Sequence, residues 1–225
     1  MSGHPDQWWG GKTYAQHGED LMIQNLFWLL KVDKPSYLDI GAHHPWNISN
    51  TALLYKQGSR GVNVEANPEL MQEFRIHRPE DLNLCVGIGP QCGMLPFYMI
   101  DGRSGRNTFV KAEAERFVRE NPKFQISEIR QIPMITLNEL VDEHCPGGFP
   151  DLLSLDVEGL DIEILRSTKF DTGPKIICVE IGTSPDFYNQ GDLLRTMMWE
   201  KGYYCVCRMG WNLLFVRKEY EEVIR

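Results

Sequence analysis

Apolar residues follow two rhythms along this chain. Within residues 19–30, Met22, Leu26, Leu29 and Leu30 recur at steps of three and four, the spacing of one helix face. The acidic pair Glu19 and Asp20 suits a helix N-terminus. Residues 37–41 form a short apolar run closed by Gly41, which reads as a buried strand. Runs at 61–65, 82–86, 152–156 and 175–181 predict further strands. Between them, 49–57 reads as a helix capped by Ser49 or Asn50, and 68–76 as a helix opened by Pro68. Helices are also predicted after Asp156 through Leu165 and over 193–201. Residues 91–133 are less regular. There, 97–100 reads as a strand and 111–119 as a helix; 132–135 is extended, and Thr136 caps a helix reaching Asp142. The tail, 203–207 and 212–216, reads as two strands of a hairpin.

Strands alternating with helices predict an α/β fold: a doubly wound, mainly parallel sheet with helices on both faces. The closing hairpin adds one antiparallel strand. Residues 1–35 are assigned to an N-terminal segment and helix covering the site, and 36–225 to a single domain. In such sheets ligands bind outside the carboxyl ends of the strands, near the switch in strand order. The strand ends therefore decide which residues matter.

Composition narrows the function classes. With 225 residues the chain can bury one sizeable core. Its 23 basic and 31 acidic residues give a net charge of −8, which excludes a general nucleic-acid binder. Only Arg103, Arg106 and Lys111 suggest a local basic patch. No apolar run is long enough to span a membrane, and the first residues lack the features of a signal peptide, so a cytoplasmic protein is expected. The six cysteines are scattered and form no CxxC pair, which favours core thiols over disulfides or a zinc site.

Four strand ends carry chemistry: Asp39-Ile40-Gly41-Ala42, Glu65-Ala66-Asn67, Asp156-Val157-Glu158-Gly159 and Glu180-Ile181-Gly182. Gly41 permits a tight turn and close approach to a ligand. Glu65 lies 24 residues further on, where a carboxylate can accept hydrogen bonds from ribose hydroxyls. That spacing alone admits NAD, FAD or S-adenosylmethionine, and a strand–turn–helix without a ligand would show it too. The single glycine, followed by His43, His44 and Trp46, leaves little room for a pyrophosphate and favours a methionine moiety.

With these motifs in order, the chain resembles the FkbM family of S-adenosylmethionine-dependent methyltransferases. The resemblance is carried by Tyr14, Gln16 and Gly18-Glu19-Asp20, by Leu38 to Ala42, by Ser49-Asn50-Thr51 and by Gly58 to Pro68. Residues 135–140 and Leu155 to Gly159 complete it, so that it covers roughly residues 14–182. It implies a Rossmann-like class I methyltransferase fold with seven strands. It implies a cofactor site drawn from Asp39, Gly41, Ala42, His43, Asn50, Thr51, Glu65, Ala66 and Asp156. It also implies O-methylation, commonly of a sugar or a secondary-metabolite hydroxyl. The sequence departs from the family at His43-His44-Pro45-Trp46, and at Glu180-Ile181-Gly182, where relatives often carry a histidine.

Asp156, Glu158 and Glu180 end neighbouring strands and are candidates to take the acceptor's proton. Asp156 and Glu180 could instead hold Mg²⁺ or Mn²⁺, and Glu158 could equally cap a helix. His17 is a second candidate base. Residues 104–108 read as a mobile acceptor loop or a plain solvated one, with Arg103 and Arg106 available to the phosphate of a nucleotide-linked sugar. Trp8, Trp9 and Trp211 could stack on a sugar or simply pack. The acceptor expected is a sugar, either free, nucleotide-linked or in a surface glycan, with a homodimer left open. A non-catalytic cofactor-binding subunit and an NAD-dependent oxidoreductase are the other classes considered.

Overall fold

The structure is a computed structural model and describes residues 12–102, 104–181 and 187–224. The first turn of the chain's architecture is α1 (Glu19–Leu29), followed by β1 (Tyr37–Ile40), α2 (Ala52–Lys56), β2 (Gly61–Val64), α3 (Pro68–His77) and β3 (Leu82–Leu84). A middle region holds β4 (Gly87–Ile88), β5 (Gly93–Ile100), α4 (Lys111–Glu120), β6 (Ile126–Ile135) and α5 (Leu137–His144). The chain then runs through β7 (Leu152–Leu155), α6 (Asp161–Ser167), β8 (Ile176–Glu180) and α7 (Phe187–Glu200), and closes with β9 (Tyr203–Met209), β10 (Asn212–Arg217) and α8 (Glu221–Ile224).

Seven strands form one sheet in the order β3-β2-β1-β7-β8-β10-β9. The pairings are parallel except at β10, which runs antiparallel to both β8 and β9. This is the predicted doubly wound sheet with its closing hairpin. The chain winds outward from β1 to β3 and returns to β7 on the other side of β1, so the order switches between β1 and β7. The crevice at their carboxyl ends is where such sheets receive ligands.

Alternation along β1 sorts its buried residues onto two faces. Leu38 and Ile40 join Val62, Val64, Leu153, Leu155, Ile177 and Val179 under α5 and α7. Tyr37 packs on the opposite side with Ile23, Leu26 and Phe27 of α1 and Leu54 of α2. Asp39 shares that second face and is only 4 % exposed. At the amino ends of the central strands one acid ties three of them: Asp151 accepts from the Ser36 backbone N–H (2.8 Å) and hydroxyl (2.9 Å) and pairs with Lys175.

Asp39 has an unusual set of neighbours. Thr51 donates its hydroxyl to Asp39 Oδ2 (2.6 Å) and accepts from the Arg78 guanidinium (2.8 Å). Arg78 is fully buried. It also donates to Ser49 Oγ (2.9 Å) and to the Pro45 carbonyl, and its guanidinium lies over the rings of Trp46, Tyr55 and Phe74. One buried cation thereby holds the whole 45–51 segment against β1. Sequence reading places Ser49 or Asn50 as the cap of a helix over 49–57. The helix instead starts at Ala52 with Thr51 at the cap position, and Thr51 makes no capping bond because its hydroxyl is spent on Asp39. Ser49 Oγ accepts from the Ala52 N–H (3.2 Å).

The middle region is more ordered than its sequence suggests. β5 and β6 form a long antiparallel pair, joined by β4 into a second, three-stranded sheet. Only 97–100 and 132–135 read as extended from sequence, because Pro96 falls inside β5 and Met94 and Ile129 stay exposed. Proline within a strand normally argues against it, but it is tolerated on an edge, and β5 is one. The Thr136 cap is present as a full capping box with Glu139. All six cysteines are free; Cys178 is buried as expected, whereas Cys92 is exposed. Among the described residues no helix is long and apolar enough to cross a membrane.

Removing a buried charged donor with several acceptors is costly. Arg78→Met is expected to lower unfolding free energy by about 3–5 kcal/mol, read as a shift of the urea midpoint. Arg78→Lys should recover only part, since one ammonium cannot span Thr51, Ser49 and Pro45 at once. An unchanged midpoint in both variants would remove Arg78 from this role.

Candidate active site

The site is assembled where β1, β2 and β7 end. Gly41 and Ala42 both donate their backbone N–H groups to the Val64 carbonyl (2.9 and 3.0 Å). Gly41 has φ +71°, and a Cβ there would sit 1.7 Å from the Asp156 carbonyl oxygen. Only glycine lets this turn pass so close to β7. His43 follows at φ +55°, a left-handed conformation uncommon for a residue with a side chain.

Glu65 explains why His43 stays there. Its Oε2 accepts from the His43 N–H (2.9 Å) and its Oε1 from the Asn67 N–H (2.8 Å). Asn67 in turn caps α3 by accepting from Glu69 N (3.0 Å) and donates to the Gly102 carbonyl (2.6 Å). One carboxylate thus ties the β1 loop to the start of α3. Burial pushes the Glu65 carboxyl up to about 7. A small cavity of about 40 Å³ opens beside it, lined by Gly41, His43, Glu65, Phe97, Asn107 and Asp156 among others. Two polar atoms of this wall, His43 Nδ1 and Asn107 Nδ2, are buried without a hydrogen-bond partner. Such atoms are costly to leave unpaired, so they mark places where a ligand's polar groups would be taken up. Burial also depresses the His43 pKa, keeping the ring neutral.

On the other side of Gly41 lies an acidic centre. Asp156 follows β7, and its N–H continues the ladder to the Ile40 carbonyl (3.0 Å). Glu158 sits at φ +54° and Gly159 at +113°. The Asp161 carboxylate fixes this turn by accepting from Val157 N (3.1 Å) and Gly159 N (3.2 Å). Asp156, Glu158 and Glu180 bring one carboxylate oxygen each within 4.8 Å of one another. Arg106 donates to both oxygens of Glu158 (2.8 and 3.0 Å) and lies 4.0 Å from Glu180. Burial and mutual repulsion push Asp156 well above the usual range and Glu158 and Glu180 up to about 8. Glu180 is 6 % exposed and its Oε2 has no partner. A cluster that shares protons near neutral pH can both accept and return one.

The donor set would suit Mg²⁺ or Mn²⁺ by type, but Arg106 already supplies the compensating positive charge between Glu158 and Glu180. The residues as arranged do not fit a metal ion, and no chemistry is derived through one.

The remaining predicted residues are placed as follows. Ala66 lies on the cavity wall, and Ala42 packs below it with Met71 and Phe74. Asp39 and Thr51 lie off the wall, bonded to each other. Asn50 donates to Ser154 Oγ (3.2 Å) rather than facing the cavity. His17 Nδ1 is 3.4 Å from Glu19 Oε1, which accepts from Asn212 (2.8 Å), and Asn212 is paired with Glu180 across β8 and β10. His17 therefore stands two residues removed from the acidic centre. The loop 104–108 is pinned at one end and exposed at Gly105: Thr108 donates to the Glu158 carbonyl (2.7 Å), Thr108 and Tyr98 exchange backbone bonds, and Asn107 and Thr108 are buried. Arg106 is engaged by Glu158 and so is not held ready for a phosphate. Trp211 is half-buried against the main core. Trp8, Trp9, Arg103 and Gly182 lie outside the described residues. Sequence reading missed Arg78 and took Asn107 only as part of the 104–108 loop. No pattern in the sequence announces the burial of either, since an arginine at a helix end and an asparagine in a polar loop are both ordinary surface residues.

A doubly wound sheet with a glycine turn, an acid after β2, an acid after β7 and another ending β8 is the arrangement of a Rossmann-like fold. The family described as Methyltransferase FkbM domain matches residues 39–205, and the chain belongs to that family. No curated protein matches the chain. Among solved structures it is similar to monomeric WbdD, with 16 % identity and a TM-score of 0.47, over 96 % of this chain and 45 % of that one. It thus spans less than half of the WbdD chain. It is also similar to precorrin-6y C5,15-methyltransferase from Geobacter metallireducens GS-15, with 14 % identity and a TM-score of 0.35, over 94 % and 93 % of the two chains.

The acids make a pH prediction with a definite sign. Glu65, Glu158 and Glu180 are raised from an ordinary value of 4.5 to about 7, 8 and 8. Between these limits the folded state binds more protons than the unfolded chain, so stability falls as pH rises. The urea midpoint should therefore be higher at about pH 6 than at about pH 9, and Glu180→Gln should shrink the difference. A midpoint that rises with pH over this window would refute the burial of these groups.

Proposed function

We propose that the chain is an S-adenosylmethionine-dependent O-methyltransferase acting on a sugar hydroxyl, with the donor held between the Gly41 turn and Glu65. The observation that carries this is the shared wall: one cavity runs from Glu65, past Gly41, to Asp156 and Glu158. The residues fit such a donor. Glu65 keeps lone pairs available for ribose hydroxyls after accepting from His43 and Asn67. His43 Nδ1 and Asn107 Nδ2 offer an acceptor or donor and a donor to other polar atoms, and Phe97 and Phe109 give the cavity an apolar side. The 104–108 wall must yield to admit a nucleoside into a space this small.

When bound, the donor would supply an electrophilic methyl group on a sulfonium. The protein's part is to position and deprotonate the nucleophile. Asp156 faces the cavity, and with Glu158 and Glu180 it takes up the hydroxyl proton as the acceptor oxygen gains its bond. Arg106 keeps the cluster from accumulating uncompensated charge. The wall of Ile40, Val64, Ile88 and Phe97 excludes water, so alignment contributes much of the remaining acceleration. The sugar as acceptor rests on the family resemblance and on the polar surroundings of Glu158.

Calorimetry with S-adenosylhomocysteine should show binding. Glu65→Gln should weaken it by about tenfold or more, the scale of lost hydrogen bonds to a charged acceptor. Folded protein that binds none would sink the proposal. Asp156→Asn should retain product binding while lowering kcat by about 10²–10⁴-fold, the range for losing a general base. The wild-type rate should climb with pH and level off above about 8, following the acids around Asp156. Gly41→Ala should lose donor binding through the clash with the Asp156 carbonyl, seen as absence of a thermal shift with the same ligand.

A further inference from the structure

A second cavity lies behind the acidic centre. It is larger, about 140 Å³, and Glu158 lines both it and the first cavity. Glu180 lines it too, buried and with Oε2 unpartnered. Glu158, which faces the donor cavity, is therefore also reached through this second space, which gives a nucleophile a route to it.

Its wall is strongly one-signed. Glu113, Glu158, Asp161, Glu163 and Glu180 contribute carboxylates, and Arg116 is the one cation among the described lining residues. Arg116 is already taken: its Nε donates to Glu113 (3.0 Å) and its Nη1 to Glu120 (3.1 Å). The Asp161 carboxylate is spent on the backbone of the preceding turn. A phosphate entering here would find no uncommitted cation among the described lining residues, and every ionised carboxylate of the wall would repel it. A protonated amine would meet Glu180 Oε2 and the Glu163 carboxylate.

We propose that this cavity is the acceptor site and that it selects a hydroxylated ligand bearing a protonated amine and no phosphate, of which an amino sugar is the simplest case. The inference deepens the methyltransferase reading and rests on it. It replaces the nucleotide-linked sugar expected from the sequence, because Arg106, the described cation nominated for a phosphate, is already committed to both carboxylate oxygens of Glu158. The ammonium anchored at Glu180 leaves a neighbouring hydroxyl beside Glu158 and Asp156, at the mouth of the donor cavity.

The test uses full-length protein saturated with S-adenosylhomocysteine and three matched probes: glucosamine, N-acetylglucosamine and glucosamine 6-phosphate. Titrations followed by calorimetry or ligand-observed NMR should show glucosamine binding about tenfold or more tighter than its N-acetyl form, weakening as salt rises, with no binding of the phosphate ester. Glu163→Gln, an exposed position, should weaken glucosamine and leave the affinity for S-adenosylhomocysteine unchanged. Equal binding of the N-acetyl or phosphorylated sugar would overturn the inference. So would failure of all three probes while S-adenosylhomocysteine binds, or Mn²⁺ that occupies the acids and excludes glucosamine. Failure of S-adenosylhomocysteine itself to bind would instead overturn the methyltransferase reading.

Discussion

The chain from Arg78 through Thr51 to Asp39 is the constraint on which the site depends. A guanidinium with no exposure to solvent is costly to desolvate unless its donors are met. Here the two Nη groups are met by the segment that leads from the Gly41 turn into α2, at Pro45, Ser49 and Thr51, while Nε has no partner. The loop therefore cannot relax without stranding a buried cation. That restraint lets His43 persist in a left-handed conformation and lets Gly41 lie against Asp156. Strain of this kind survives only where the surroundings over-determine it, and here Arg78 holds one end of the loop while Glu65 holds the middle.

Much of this was legible in the chain. The seven strands of the main sheet announce themselves as apolar runs, because central parallel strands are buried on both faces. Gly41, Glu65, Asp156 and Glu180 stand out because each ends such a run, and the topology then gathers them at one crevice. What was not legible has physical reasons. Most of the second sheet escapes notice since Pro96 interrupts β5 and only part of each strand is buried. Arg78 gives no sign because its charge is answered by hydroxyls and a carbonyl in residues 45–51, up to 33 residues before it, and not by a carboxylate at helical spacing. Asn50 and Thr51 look like ligand contacts in a motif, yet their side chains are turned toward Ser154 and Asp39.

Arg106 shows how a residue's role depends on what reaches it first. Read alone, it is a cation on a polar loop, suited to a phosphate. In the fold, Thr108 and Asn107 pin the loop, and Arg106 is delivered to Glu158. Its charge then makes a crowded set of carboxylates tolerable at the spot where proton transfer is proposed. The two cavities differ in their linings: apolar residues stand beside Glu65, Asp156 and Glu158 on the donor side, and carboxylates predominate in the second.

At the opposite edge of the sheet, Asp151 binds Ser36 and Lys175 and so clamps the starts of β1, β7 and β8. Strands fastened at the base cannot slide past one another, so the spacing of Asp156 and Glu180 at their tips is decided when the protein folds and not when a ligand arrives. The dipoles and charges around the reacting oxygen then need little reorganisation during the reaction, which is the condition under which fixed charges lower a barrier most. Any adjustment to ligand size is left to the loops, with the sheet acting as an inelastic frame.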